Sequence, residues 1–575
     1  MRASVSAPGF LVIAALAACG SSKAAPDAPP PTADARLVGF DRPELVCPGG
    51  PGCATTGNGV LEVGAGKHTY TPVIAETWTD TNNNGDYDVG EPYVDANSNG
   101  KFDAFWLFGG GKAANGVKTD LEARALAFRE GDVSVAIVYL DTTGFLAGDM
   151  DAIRADPALA GFAIDHVIIG STHAHLAVDT VGLWGPDTFT TGYDPAYVAT
   201  VRAAAVSAIR DAMTSLAPAH LQIAKTLLIN DPANPASKTD RWAKDLRDPI
   251  IFDPTMTVAR FVRADDESKT IGTLVNWADH PEVALFGEGP PLVSAHYPHW
   301  LRQYTEAGFA AGDFDGPVAL TRDLPGWGGI TVFVQGALGG QIGSLRGTAP
   351  LDRHGVPVTM ESHEMDEALG ANAARRALEI IADSAETVSD LPLGFRTATY
   401  AARVDNIGFQ LAFQIGLLAP HPLVGYDSTQ PIASDNPPWV PLRSTYLQIG
   451  PIGLVTAPGE LHPELWVGGY TGGWSWGWTM LDATKPNTPD LATAPAGPYL
   501  RDLVLANPGV EYPILAGLAE DYTGYLVPHY NYVLDPDSPY LSEAPGDHYE
   551  ETYSLGPDCE EHVVQPILAL VAWRP

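Results

Sequence analysis

The run Val133–Asp141, VSVAIVYLD, is apolar at nearly every position, and this constrains the fold more than any other feature. Neighbouring residues of a strand point to opposite faces, so a strand that is apolar throughout needs both faces of its sheet covered. Residues 121–145, LEARALAFREGDVSVAIVYLDTTGF, read as two strands joined at Glu-Gly-Asp. Residues 195–216 and 363–385 carry apolar side chains at helical spacing and supply candidate cover. KTIGTLVNWA, ITVFVQGAL and YLQIGPIGLVTAPGE are further strand signals. Strands alternate with helices, but several strand signals follow one another directly. The expectation is an α/β (α+β) chain with mixed β-sheets flanked by helices.

Charge narrows the partners. Thirty-three Lys and Arg face 69 Asp and Glu, a formal net charge of −36. Such a chain repels phosphate backbones, which argues against nucleic acid and favours divalent cations. At the N-terminus, GFLVIAALAA follows Met1-Arg2 and is too short to span a bilayer, as an export signal is. It ends in Leu16-Ala17-Ala18-Cys19-Gly20, which resembles a bacterial lipobox. That resemblance implies a lipoprotein signal peptide over 1–19, lipidation of Cys19, and a membrane anchor at the outer membrane or cell surface. Residues 20–57 read as a Pro/Ala-rich tether and 58–575 as the folded body. Cys47 and Cys53 bracket PGGPG and are candidates for a small disulfide loop, whereas Cys559 has no evident partner.

Residues 80–103, DTNNNGDYDVGEPYVDANSNGKFD, are a local chemical repeat. Asp80, Asn82, Asn84, Gly85, Asp88 and Glu91 match a twelve-residue calcium loop, with Asp86 offering its carbonyl. Calcium takes six to eight hard oxygens, and the glycine permits the sharp turn. Asp95, Asn97, Asn99, Gly100 and Asp103 form a second copy, whose closing position holds Trp106 where a glutamate is needed. The expectation is a structural calcium-binding insertion.

Catalytic chemistry is carried elsewhere. HVIIGSTHAH ends a strand in His173 and His175; TLVNWADHPE places His280 after another apolar run. GLVTAPGE places Glu460 in a Pro-Gly turn, and GLAEDYTGYLVP offers Tyr525. Imidazoles with a carboxylate suit zinc, which lowers the pKa of a bound water toward neutrality.

Together these segments resemble the catalytic domain of the neutral/alkaline, non-lysosomal ceramidases. Ser171-Thr172-His173-Ala174-His175 is similar to the family's G-T-H-T-H, NWADHPE to N-W-F-A-x-H-P, and Pro458-Gly459-Glu460 to P-G-E-F. DYTGYLVP and HYEETYSLGP resemble Y-x-x-Y-x-T-T and R-Y-E-A-A-S-x-x-G-P, in the same order, and VGAGKHTYTP resembles the family's opening. The resemblance implies catalytic zinc held by His173, His280, Glu460 and Tyr525. His175 would stand beside the zinc-bound water and the scissile carbonyl, Tyr549 would bond the oxyanion, and Arg241 would assist it. The implied activity is hydrolysis of a lipid-like N-acyl amide.

Departures are also visible. FVQGALGGQIGSLRG places Gly340 and Ile342 where the family carries Asp and Ser, with Ser344 two residues later. His296 stands where relatives carry an acid, and after EEHVVQPILALVAWRP no room remains for the family's C-terminal β-domain. A non-catalytic surface lipoprotein that keeps the fold and its metals is the alternative. Trp466, Trp474, Trp476 and Trp478 either line an acyl groove or fold into the domain.

Overall fold

Both apolar strands acquire the cover they require. The computed structural model describes residues 42–574, apart from 52, 54–56, 229–243, 246, 344–348, 419–420, 422, 428 and 434–435. Cys19, Arg241 and Ser344 therefore lie outside the described residues. In chain order the main strands are β1 (Leu45–Cys47), β2 (Leu61–Thr69), β3 (Glu122–Glu130), β4 (Val133–Leu140), β5 (His166–Ser171) and β6 (Ala217–Leu227). They continue with β7 (Thr255–Arg263), β8 (Asp266–Trp277), β9 (Ile330–Gln335), β10 (Glu386–Val388) and β11 (Leu393–Arg403). Last come β12 (Trp439–Ile449), β13 (Ile452–Thr456), β14 (Glu460–Leu461), β15 (Tyr512–Ala516) and β16 (Tyr525–Leu526).

A nine-stranded sheet runs β9–β8–β7–β6–β2–β3–β4–β5, with β10 beside β6. It is mixed: β4 pairs in parallel with β5 and β8 with β9, while β3 and β4 pair antiparallel with Leu126 opposite Ile137. A five-stranded sheet runs β1–β11–β12–β13–β15. The sheets face each other across a core that includes Phe128, Val135, Ile137, Phe261, Phe395, Leu447 and Ile514. Helix α1 (Ala147–Arg154) and α2 (Pro195–Thr214), capped by the Asp194 side chain, lie near β2–β5. Helix α3 (His296–Ala307) and α4 (His363–Ser384), capped by Ser362, cover the far half of the large sheet. C-terminal helices cover the outer face of the small sheet. The result is four layers, helix–sheet–sheet–helix. Leu45–Cys47 lies in the stretch expected as tether, yet it pairs with β11 and belongs to the folded body. A disulfide joins Cys47 to Cys53, and Cys559 is a buried free thiol. Among the described residues, no helix is long and apolar enough to cross a membrane.

One buried ion pair fixes the rim where β4 and β5 end. Arg302 of α3 donates to both oxygens of Asp141, each at 2.7 Å, and both side chains are buried. Asp141 also accepts from the Glu122 backbone N–H at 2.9 Å and the Thr172 hydroxyl at 3.1 Å. It thereby ties α3 to the residue preceding His173. Removing the cation leaves a buried carboxylate without its countercharge, which costs about 3–5 kcal/mol. Arg302→Met is therefore expected to lower the unfolding free energy by that amount in urea titration. A loss below about 1 kcal/mol would show that the pair does not hold this rim.

Candidate metal centre and active site

The strand ends bring four sequence-distant side chains together. Leaving β5, the chain turns sharply, with His173 at φ +70°, a left-handed conformation uncommon for a non-glycine residue. Backbone bonds hold the turn: the N–H groups of His173 and Ala174 donate to Thr142 O at 3.0 and 3.2 Å. His280 follows β8, and the His175 N–H donates to Pro281 O at 3.2 Å, which links the two histidine loops directly. Gln335, at the end of β9, donates its amide to Thr172 O at 3.2 Å and Asp279 O at 2.8 Å. One side chain thus clasps the peptides just before both histidines. Glu460 and Tyr525 are register partners in the parallel pair of β14 and β16, so they face the same side.

Ring orientation follows from the outer nitrogens. His173 Nδ1–H donates to Thr143 O at 2.7 Å, and His280 Nδ1–H donates to Gln341 O. Each ring then directs its Nε2 lone pair inward. His280 Nε2 lies 3.2 Å and His173 Nε2 3.3 Å from the same oxygen, Oε2 of Glu460. Neutral imidazoles and a carboxylate would set three acceptors against one another in a buried space. A proton or a cation between them resolves the conflict. Tyr525 Oη stands 3.5 Å from His280 Nε2, and Tyr522, a residue the sequence did not single out, donates to Glu460 Oε1 at 3.1 Å. Two imidazoles, one carboxylate and one phenol form a donor set that zinc accepts. The structure therefore gathers the four sequence-predicted ligands.

The electrostatics agree. Burial would lift the Glu460 carboxyl, but the adjacent His173 and His280 outweigh it and hold it below the usual carboxylate range. Burial likewise opposes a charged His280, yet its bond to Glu460 and the charge of Glu282 raise its pKa. His175 behaves oppositely: burial, then the neighbouring imidazoles of His173 and His280, push it well below its ordinary value. Its Nε2 lies 3.2 Å from His173 Nε2, and its Nδ1 lies 3.8 Å from Glu282. Ligand atoms of His173, His175 and His280 all fall within 4.8 Å of one another. Tyr549 Oη is 3.4 Å from Tyr525 Oη, and burial keeps both phenols protonated far above the ordinary range.

The departures from the expected pattern have structural roles. Gln341, within the stretch that carries Gly340 and Ile342, provides the carbonyl that orients His280. His296 accepts from the Leu176 N–H at 3.0 Å and bonds Asp366 at 2.8 Å, bracing the loop after His175. Trp466 is buried with its N–H on Asp253, Trp476 donates to Phe252 O, and Trp474 packs into the domain, whereas Trp478 is partly exposed. These indoles do not line the apolar groove between the 109–111 turn and the helix Ile407–Gln414. That groove, about 530 Å³, is lined by Trp184, Phe189, Ile407, Ile415 and Tyr553 among others.

In the 80–103 segment a glutamate from outside the repeat reaches the second loop. Glu91 spans the first loop by accepting from the N–H groups of Thr81 at 2.7 Å and Asp88 at 3.1 Å. Glu76 spans the second in the same way, accepting from Ala96 at 3.1 Å and Asp103 at 2.8 Å. Each glutamate precedes one loop by four residues and closes the other. The segments containing them pair antiparallel at Trp78 and Tyr93, with Thr79 N–H on Pro92 O and Val94 N–H on Thr77 O, both 2.8 Å. Glu76 and Glu91 are only 4% and 7% exposed.

No family model and no curated protein matches the sequence. Solved structures do. A neutral ceramidase from Pseudomonas aeruginosa superposes with a TM-score of 0.55 at 14% identity, over 89% of this chain and 74% of that one. A ceramidase complexed with C2 gives a TM-score of 0.55 at 14% identity, over 89% and 75%. The chain shares the fold of these ceramidase structures, and its buried histidine–carboxylate cluster sits where the strands of that fold end.

Proposed function

We propose that this chain is a zinc-dependent amidohydrolase of ceramidase type that cleaves a lipid-like N-acyl amide. The observation that carries the reading is the pair of inward Nε2 atoms sharing Glu460 Oε2, with both Nδ1–H groups already committed to carbonyls. His173, His280, Glu460 and Tyr525 would hold the ion, which when bound polarises a carbonyl and acidifies water. His175, kept neutral by burial, is suited to accept a proton on its Nε2, while Glu282 beside Nδ1 favours the resulting cation. Tyr549, kept protonated, offers its O–H to a developing oxyanion. The apolar groove, within the size range of small-ligand pockets, suits an acyl chain, and the fold neighbours support the amide class.

His173→Ala and Glu460→Gln are expected to abolish both stoichiometric zinc, read by metal analysis, and hydrolysis of a fluorogenic N-acyl amide. His175→Ala is expected to keep the zinc and lose about 10²–10⁴-fold in kcat. Full turnover after exhaustive chelation would overturn the zinc assignment, and zinc loss in His175→Ala would make that residue a ligand.

The reading keeps a structural role for calcium. Asp80, Asn82, Asn84, Asp86, Asp88 and Glu91 would hold one ion, and Asp95, Asn97, Asn99 and Asp103 a second, with Glu76 supplying the closing carboxylate. Calorimetric titration is expected to give two calcium ions per chain and one for Glu76→Gln, with lower thermal stability in calcium. Unchanged stoichiometry in that variant, or no stabilisation by calcium, would remove the assignment.

The lipobox-like run further supports anchorage of the acidic body to the cell envelope through Cys19. Cys19→Ala is expected to shift the protein from the membrane to the soluble fraction; equal membrane retention would refute the anchor.

A further inference from the structure

The apolar groove and the histidine cluster are joined by one aromatic ring. Phe108 stacks on His175 with ring centroids 4.0 Å apart and planes 20° from parallel. It also contacts Trp184, centroids 4.5 Å apart, and Trp184 lines the groove. The rings thus run in sequence from groove wall to imidazole: Trp184, Phe108, His175.

Phe108 is held in place from both ends of a tight hairpin. Within residues 105–114, Leu107 N–H donates to Lys112 O and Ala114 N–H to Phe105 O, both at 2.9 Å. Gly109, Gly110 and Gly111 form the tip, at φ +105°, +70° and +68°, and line the groove. Side chains there would be strained by the backbone, so the tip leaves the groove open beside Phe108. Gly111 N–H donates to Gly185 O at 2.8 Å, which clamps the tip to the loop carrying Trp184. On the far side, Leu107 bridges Val178 in the loop after His175. At the groove's outer rim, Phe189 and Ile407 stand 58% and 45% exposed.

We infer that Phe108 is a specificity-determining residue: an acyl chain lying in the groove passes over the Phe108–Trp184 edge, and this contact fixes where its carbonyl meets His175. The ligand class is a long unbranched acyl chain, because Leu183, Trp184, Ile407, Phe409 and Ile415 give the groove a largely apolar lining, with Asp86, Asp88 and Asp187 also among its lining residues. A short acyl group cannot reach the groove and gains nothing from Phe108. This rests on the hydrolase reading, but it adds a length dependence that zinc chemistry alone does not demand.

The test compares the palmitoyl and acetyl amides of aminomethylcoumarin on zinc-loaded wild type, Phe108→Ala and Phe108→Leu. Wild type is expected to favour the palmitoyl amide. Phe108→Ala is expected to lose about tenfold or more in kcat/KM on it and less than about threefold on the acetyl amide, with unchanged zinc content. Phe108→Leu, which keeps apolar bulk and serves if the alanine variant does not fold, is expected to lose an intermediate amount. Equal losses on both amides, or an unchanged length preference, would overturn the inference. If wild type hydrolyses neither amide, the hydrolase reading fails, and binding of dansyl-undecanoic acid decides the present point. Binding about tenfold weaker in both Phe108→Ala and Ile407→Asp supports it, and binding equal to wild type overturns it.

Discussion

Two imidazoles whose outer nitrogens are spent on backbone carbonyls have one direction left in which to act. His173 and His280 are in this position, and both aim at one oxygen of Glu460. Much of the surrounding fold serves that convergence. The parallel pairs β4–β5 and β8–β9 deliver the two histidine loops to a common rim. Gln335 clasps the peptide before each, and Asp141 with Arg302 holds the shoulder behind one of them. Burial then strengthens every electrostatic term at the cluster, since little water remains to screen it.

Much of this was legible in the sequence because the signals are local. Val133–Leu140 needed cover on both faces, and the chain supplied a sheet on one side and helix α2 on the other. The expected helices 195–216 and 363–385 appear as Pro195–Thr214 and His363–Ser384, each started by a side-chain cap. His173 and His280 announced themselves by ending apolar runs where a core has no use for an imidazole. Glu460 and Tyr525 each follow a glycine turn closely, and their pairing across β14 and β16 confirms that they share a side.

What escaped the sequence acts through backbone or through contacts between remote segments. Gln335 reads as the polar end of a strand; its importance lies in which two carbonyls it reaches. Tyr522 is one tyrosine among 21, distinguished only by the carboxylate it meets. The tryptophan-rich run 466–478 carries aromatic density, yet its indoles are largely committed to the interior, and the groove is built instead from Trp184, Phe189 and a short helix, Ile407–Gln414. Exposure is a property of the finished packing, so aromatic content alone cannot locate a groove. Glu76 was invisible for a related reason. It lies before the first loop, and only the antiparallel pairing at Trp78 and Tyr93 carries it to the second.

That crossing has an architectural consequence. Glu91 ends the first loop and closes it, so that ring is complete within its own residues, whereas the second is fastened by Glu76, which lies ahead of the first. A boundary drawn between residues 91 and 95 would leave the first ring closed and the second open. The dependence runs one way: the second half cannot stand as a building block without the lead-in of the first. Its exit, moreover, runs through Trp106 and Leu107 into Phe108, so the same block ends at the ring lying against His175.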